Sequence, residues 1–157
     1  MGVGIGAMLS ETWTEAQLNE GQTPTLGEHH FGREGKIYKF VKYDTGSGAV
    51  AAVVGNVAYY YTLDGYKNST VTSDISDSVN VGAGVLMGAP GDGEYCWIQI
   101  KGAATVNTAL TAGSDGNPLT ATGATDGTLD VSAAVTDVVV AIAGDISDKE
   151  IICDFPF

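Results

Sequence analysis

The stretch Val79–Gly102 constrains the fold more than any other part of the chain. An apolar run (Val79, Val81, Val85, Leu86, Met87) enters a break, Ala89-Pro90-Gly91-Asp92-Gly93, and a second run leaves it. One proline and two glycines in this break supply a fixed φ and positive φ, the backbone needs of a tight reversal. In the exit run Cys96, Ile98 and Ile100 alternate with Tyr95, Trp97, Gln99 and Lys101. Period-two alternation marks a half-buried strand, so the stretch predicts a β-hairpin. Its second face carries Tyr95 and Trp97 where solvent is expected, so a further layer or another chain must cover them.

At 157 residues the chain is one domain, or one domain plus an arm. Glycine is abundant at 22 residues and leucine scarce, which suits an all-β protein with many turns and argues against a helical bundle. The formal net charge of −12 makes nucleic acid and anionic membrane poor partners. The charge is unevenly spread. Four of the seven basic residues (Arg33, Lys36, Lys39, Lys42) fall within one short stretch, while the body beyond residue 43 is strongly acidic. Either the acidic surface simply keeps the protein soluble, or the basic strand faces an acidic partner. No stretch reaches the roughly 18 apolar residues of a membrane-spanning helix. Met1–Ser10 lacks the basic n-region and cleavage site of a signal peptide, and residue 6 is not the Ser or Thr expected after a myristoylated Gly2.

Read in order, residues 1–31 form an N-terminal arm and residues 32–157 a single β domain. Thr12-Trp13-Thr14-Glu15 reads as a capping box and Gly21 as the C′ glycine of a two-turn helix. A helix that short needs a surface to pack against, either its own domain or a neighbour. Gln22–Phe31 reads as loop. Lys36–Tyr43 predicts a strand, at an edge guarded by charge or packed on both sides with snorkelling lysines. Ala49–Leu63 predicts one long strand or two, broken at Gly55-Asn56, and the polar Lys67–Ser78 a surface excursion. Ala103–Thr111, Pro118–Ala121 and Leu129–Ala133 predict further extended pieces. The apolar run Val138–Ala143 predicts a strand buried on both faces. Ile151, Cys153 and Phe155 share a face of the last strand, so the chain holds two similar hairpins in one sheet system.

Candidate chemistry is sparse. His29 and His30 are adjacent and point opposite ways on an extended chain, a poor joint metal site. Cys96 and Cys153 fall on core faces and read as buried free thiols, or as a disulfide if their strands are adjacent and in register. Asp74, Ser76 and Asp77, or Asp92 and Glu94, are the oxygen-rich turns best suited to Ca²⁺, although no EF-hand spacing occurs. No Ser/His/Asp grouping, phosphate loop or dinucleotide fingerprint appears. The expectation is therefore no catalysis and no cofactor. Tyr59, Tyr60 and Tyr61 read as core filling or as an aromatic subunit interface.

Three places together resemble the head-decoration, or capsid cement, proteins of tailed bacteriophages. They are the opening Phe31-Gly32-Arg33-Glu34-Gly35-Lys36-Ile37-Tyr38-Lys39-Phe40-Val41, the hairpin Val81–Gly102, and the closing Val138–Phe155. The resemblance covers roughly residues 31–157. The insert Asp64–Ser78 and the helix-bearing arm depart from the simple pattern. The resemblance implies a compact β-barrel or β-sandwich without catalysis. It implies assembly in the host cytoplasm and binding to the outer surface of the virion capsid, with the major capsid protein and other copies of the chain, as homotrimers, for partners. On that reading Val3, Ile5, Met8, Leu9, Trp13 and Leu18 of the arm, with Arg33, Lys36 and Lys39, contact the capsid. Tyr59, Tyr61, Tyr95 and Trp97 mediate self-association. The alternative is a carbohydrate-binding or adhesin-type β-module on a virion or cell surface.

Overall fold

The computed structural model describes residues 8–62, 67 and 69–156, and its architecture is nearly all β. The arm contributes β1 (Thr12–Trp13) and the helix α1 (Glu15–Asn19). The helix cap lies two residues later than the sequence suggested. The Thr14 hydroxyl accepts from the Gln17 amide, and the Gln17 side chain accepts from the Thr14 amide at 2.8 Å, a complete capping box. Gly21, at φ 70°, closes the helix as expected, with the Gln22 amide reaching back to the Gln17 carbonyl at 3.0 Å.

The remaining strands are β2 (His29–Phe31), β3 (Ile37–Tyr43), β4 (Val57–Tyr61), β5 (Thr70–Thr72), β6 (Ser78–Leu86), β7 (Tyr95–Thr105), β8 (Pro118–Thr120), β9 (Asp130–Val131), β10 (Val139–Asp145) and β11 (Glu150–Asp154). Strands β3, β5, β4, β6 and β7 close on themselves as a five-stranded barrel. From β7 the sheet continues outward through β11, β10, β8 and β9.

Strand β7 has both edges filled. Cys96 pairs with Val41 and with Thr12, Ile98 with Lys39 and with Leu86, and Lys101 with Ile37 and with Asp154. So β3 runs along one edge, while β1, β6 and β11 follow one another along the other. Gly102 sits where β3 gives way, at φ 90°, and a Cβ there would come within 2.9 Å of the Lys36 side chain. Only glycine meets both demands without strain.

Alternation sorts β7 as the sequence predicts. Cys96, Ile98 and Ile100 face the barrel core with Val41 and Tyr43 of β3, while Tyr95 and Trp97 face outward with Tyr38 and Phe40. The β3 strand is packed on both sides rather than being an edge. Four other expectations are corrected. The chain is a strand only from Val57 onward, residues 49–56 being turn and coil. His29–Phe31 is not loop but pairs with β3. The polar stretch before Ser78 is not a surface excursion, for Val71, Thr72, Ser73 and Asp74 are buried and β5 runs parallel to β3 as a barrel stave. Its polar atoms are satisfied inside, with the Ser73 hydroxyl donating to the Val57 carbonyl at 3.0 Å. Strand β10 is buried on one face only, since Val139 and Ile142 are exposed.

Tyr59 ties the barrel to the loop before β9. Its hydroxyl accepts from the buried Thr128 amide at 2.9 Å and donates to the Thr125 carbonyl at 3.0 Å. Tyr59→Phe should lower the unfolding free energy by about 1–3 kcal/mol, because the Thr125 and Thr128 carbonyls lose the hydroxyl donor and the Thr128 N–H is left with its longer 3.3 Å bond to the Thr125 carbonyl. Urea denaturation of the two proteins checks this, and equal midpoints would refute it.

Candidate functional site

The oxygen-rich turns are occupied by the backbone. Asp74 accepts from the Ser76 hydroxyl at 2.6 Å, from the Ser76 amide at 3.0 Å and from the Gly48 amide at 2.8 Å. The Ser76 hydroxyl is the main cause holding the Asp74 carboxyl below its ordinary range. Asp77 accepts from the Ser47 amide, Asp92 from the Thr45 amide at 3.0 Å and Glu94 from the Gly91 amide at 2.7 Å. These carboxylates staple turns in place. Among the described residues no three His, Cys, Asp or Glu side chains gather in a metal-holding arrangement.

His29 is exposed on β2, while His30 turns inward against the Trp97 ring at 6.0 Å. The two cysteines are free and buried. Cys153 pairs with Gly102 and Cys96 with Val41 and Thr12, so their strand registers keep them apart. Burial pushes both thiols up to about 12, which leaves them protonated and unreactive at neutral pH.

The layer over Tyr95 and Trp97 is the arm of the same chain. Phe40 lies at the centre, 5.4 Å from the Trp13 ring, 5.3 Å from Trp97 and stacked on Tyr95 at 6.0 Å. Leu9, Leu18, Leu26 and Met87 fill in around them. Strand β1 supplies the docking, since Trp13 pairs with Tyr95 in register. Tyr95 and Trp97 are only 3% and 2% exposed, so they are not a free self-association face. Leu9, Trp13 and Leu18 are likewise spent on the chain's own barrel. The arm's apolar residues lie on β1, on α1 and beside it, and the strand face they cover was built to be covered.

The other predicted residues separate. Tyr59 is fully buried in the barrel core. Lys39 is not on the surface: it lies inside, 5% exposed, donating to the Tyr60 hydroxyl at 2.9 Å above that ring. Burial pulls its ammonium below the usual lysine value. Tyr61 is half-buried at the barrel rim. Arg33 is exposed and Lys36 half-buried, on either side of the β2–β3 turn. Met8 stands 60% exposed, and Val3 and Ile5 lie outside the described residues.

Sequence reasoning missed an exposed apolar row that crosses four strands. Ala103 pairs with Ile152, Ile152 with Ile142, and Ile142 with Pro118, one continuous row across β7, β11, β10 and β8. All four are exposed, with Val138 and Val139 nearby. The signal was present in Ile152, which falls between the core positions Ile151 and Cys153 and so must face outward. Beside Ala103 a hollow of about 360 Å³ opens between Val54, Met87 and Glu150.

No family model, no curated protein and no solved structure matches the chain.

Two outcomes follow from this geometry. Trp97→Ala should cost about 3–5 kcal/mol of monomer stability by opening a cavity beneath the arm. Chemical denaturation at low protein concentration measures it, and an unaltered midpoint would return Trp97 to the surface. Asp74→Asn should flatten the acid limb of the stability curve. A depressed carboxyl stabilises the fold above its unfolded value near 3.8, and that stability drains away as pH falls through the lower folded value. Wild-type stability should therefore drop below pH 3.8 more steeply than the variant's, read by urea midpoints from pH 5 to 2.

Proposed function

We propose that this chain is a structural accessory of an icosahedral phage shell, bound to the capsid's outer surface as a decoration or cement protein. The observation that carries the reading is the exposed apolar row Ala103–Ile152–Ile142–Pro118 on the rigid outer sheet of an otherwise acidic molecule. An apolar strand face of this kind suits docking on a partner surface. Burying Val139, Ile142 and Ile152 contributes on the order of 1 kcal/mol per side chain at about 25 cal/mol per Å². That is weak for one copy and effective for many copies on one shell. The sequence pattern of the opening strand, the hairpin and the closing strand supports the same class.

In this reading the major capsid protein is the partner, with Val3, Ile5 and the exposed Met8 among the residues that contact it. Copies cluster with one another, as homotrimers, and no catalytic step is involved. The carbohydrate-binding alternative is less favoured because Trp13 and Trp97 lie in one internal cluster and offer no open stacking platform.

The test is to add the protein to undecorated shells and measure co-sedimentation. The wild-type chain should saturate the particles and raise their disassembly temperature. Ile142→Lys/Ile152→Lys should fold normally and lose at least ten-fold in affinity. Equal occupancy by the double variant would remove this face from the mechanism, and no binding by wild type would defeat the reading.

A further inference from the structure

Beside the β2–β3 turn lies a groove of about 400 Å³ lined by Leu9, His30, Arg33, Glu34, Lys36 and Tyr38, with Gly32 at its floor. A Cβ at Gly32 would fall 2.8 Å from the Tyr38 ring, so the floor is flat only because residue 32 has no side chain. The turn holds Glu34 and Gly35 at φ 57° and 72°, with the Lys36 amide donating to the Arg33 carbonyl at 3.0 Å. Its two flanking cations therefore frame the groove.

Those cations differ from the other barrel lysines. Lys101 pairs with Asp154, Lys149 donates to the Asn107 carbonyl at 2.9 Å, Lys39 is held on Tyr60, and Lys42 lies over the Tyr95 ring at 5.8 Å. Arg33 and Lys36 make no side-chain hydrogen bond or ion pair with any described residue. Glu34 is the one acid in the groove and offsets only part of their charge.

The opposite end of β3 has the reverse character. Seven residues along, roughly 20 Å away at about 3.3 Å per residue, the chain meets Asp44, Asp77 and Asp92 around Tyr61. The Asp44 carboxylate, then burial and the Asp77 and Asp92 carboxylates, push the Tyr61 phenol above its ordinary value. Each of these acids is fixed by a backbone donor on one oxygen: Gly46 to Asp44, Ser47 to Asp77 and Thr45 to Asp92. The second oxygen of each accepts no hydrogen bond from a described residue.

We propose that the Arg33–Lys36 groove binds the acidic end of a second copy of this chain, so that copies associate head to tail. Charge complementarity selects the occupant, because the chain itself carries a preformed acidic end matched to its basic groove. A heterologous contact of this kind closes into a ring or extends as a filament, whereas a face paired with itself stops at a dimer. The contact uses none of the outer apolar row and is independent of the proposed docking on a shell.

Sedimentation velocity of the purified chain, without shells, tests it. At low salt the wild-type chain should associate, and the association should weaken at least ten-fold between 20 and 300 mM NaCl, as expected for steering by exposed charges. Arg33→Glu/Lys36→Glu should be monomeric, and Arg33→Gln/Lys36→Gln should give the same direction should the double reversal unfold. An Asp44→Lys/Asp92→Lys variant should also be monomeric alone. Mixed one to one, the two variants should pair again, through the intact acidic end of the first and the intact basic groove of the second. A monomeric wild type at low salt overturns the proposal. So does association that survives both the groove variants and high salt but is lost in Ile142→Lys/Ile152→Lys.

Discussion

Everything in this molecule depends on one strand that shares both of its edges. An isolated β-strand leaves a row of donors and acceptors to be satisfied on each side, and a sheet grows only as those rows are filled. Strand β7 fills one side with β3 along most of its length and the other with β1, β6 and β11 in turn. The barrel closes through it, the arm docks on it and the outer sheet hangs from it. Its two faces then divide the interior. The Cys96–Ile100 face packs into the barrel core, and the Tyr95–Trp97 face packs under the arm around Phe40.

That division explains how the arm is held on the barrel. Helix α1 spans only five residues, too short to persist alone, and its stability comes from the aromatic surface beneath it. The same surface would be a liability if bare, so arm and barrel are one packing unit. Aromatic residues on an outward strand face thus have two explanations, and the register of β1 against β7 decides between them.

How much of this was legible follows from where alternation survives. The hairpin, the two faces of β7, the Gly55 break and the Ile151–Phe155 face were readable because one side of each strand is wet or differently packed. The stave Thr70–Asp74 was not, since three of its four buried positions are Thr, Ser and Asp, whose hydroxyls and carboxylate find partners only in three dimensions. Lys39 misled for a related reason. Lysine usually marks solvent, and here the bond to the Tyr60 hydroxyl helps to make its burial tolerable. In β10 the run Val138–Ile142 hides alternation because both faces are apolar, one toward the core and one outward. Of the candidate site, the basic stretch was visible as composition. Its split into a buried Lys39, a ring-bound Lys42 and the two groove cations Arg33 and Lys36 required the fold.

The position of β11 has a consequence for how the chain is made. In the strand ladder β8, β9 and β10 join the barrel strands by way of β11, which is later in the chain than all three. On a ribosome the five barrel strands are all synthesised by residue 105, so the barrel is able to close first. While the forty or so residues that follow are made, the far edge of β7 from Lys101 to Thr105 stays open. Insertion of Glu150–Asp154 zips that edge and joins β10, with β8 and β9 beyond it, to the barrel ladder. The outer ladder should therefore be completed late, once the last strand has left the ribosome.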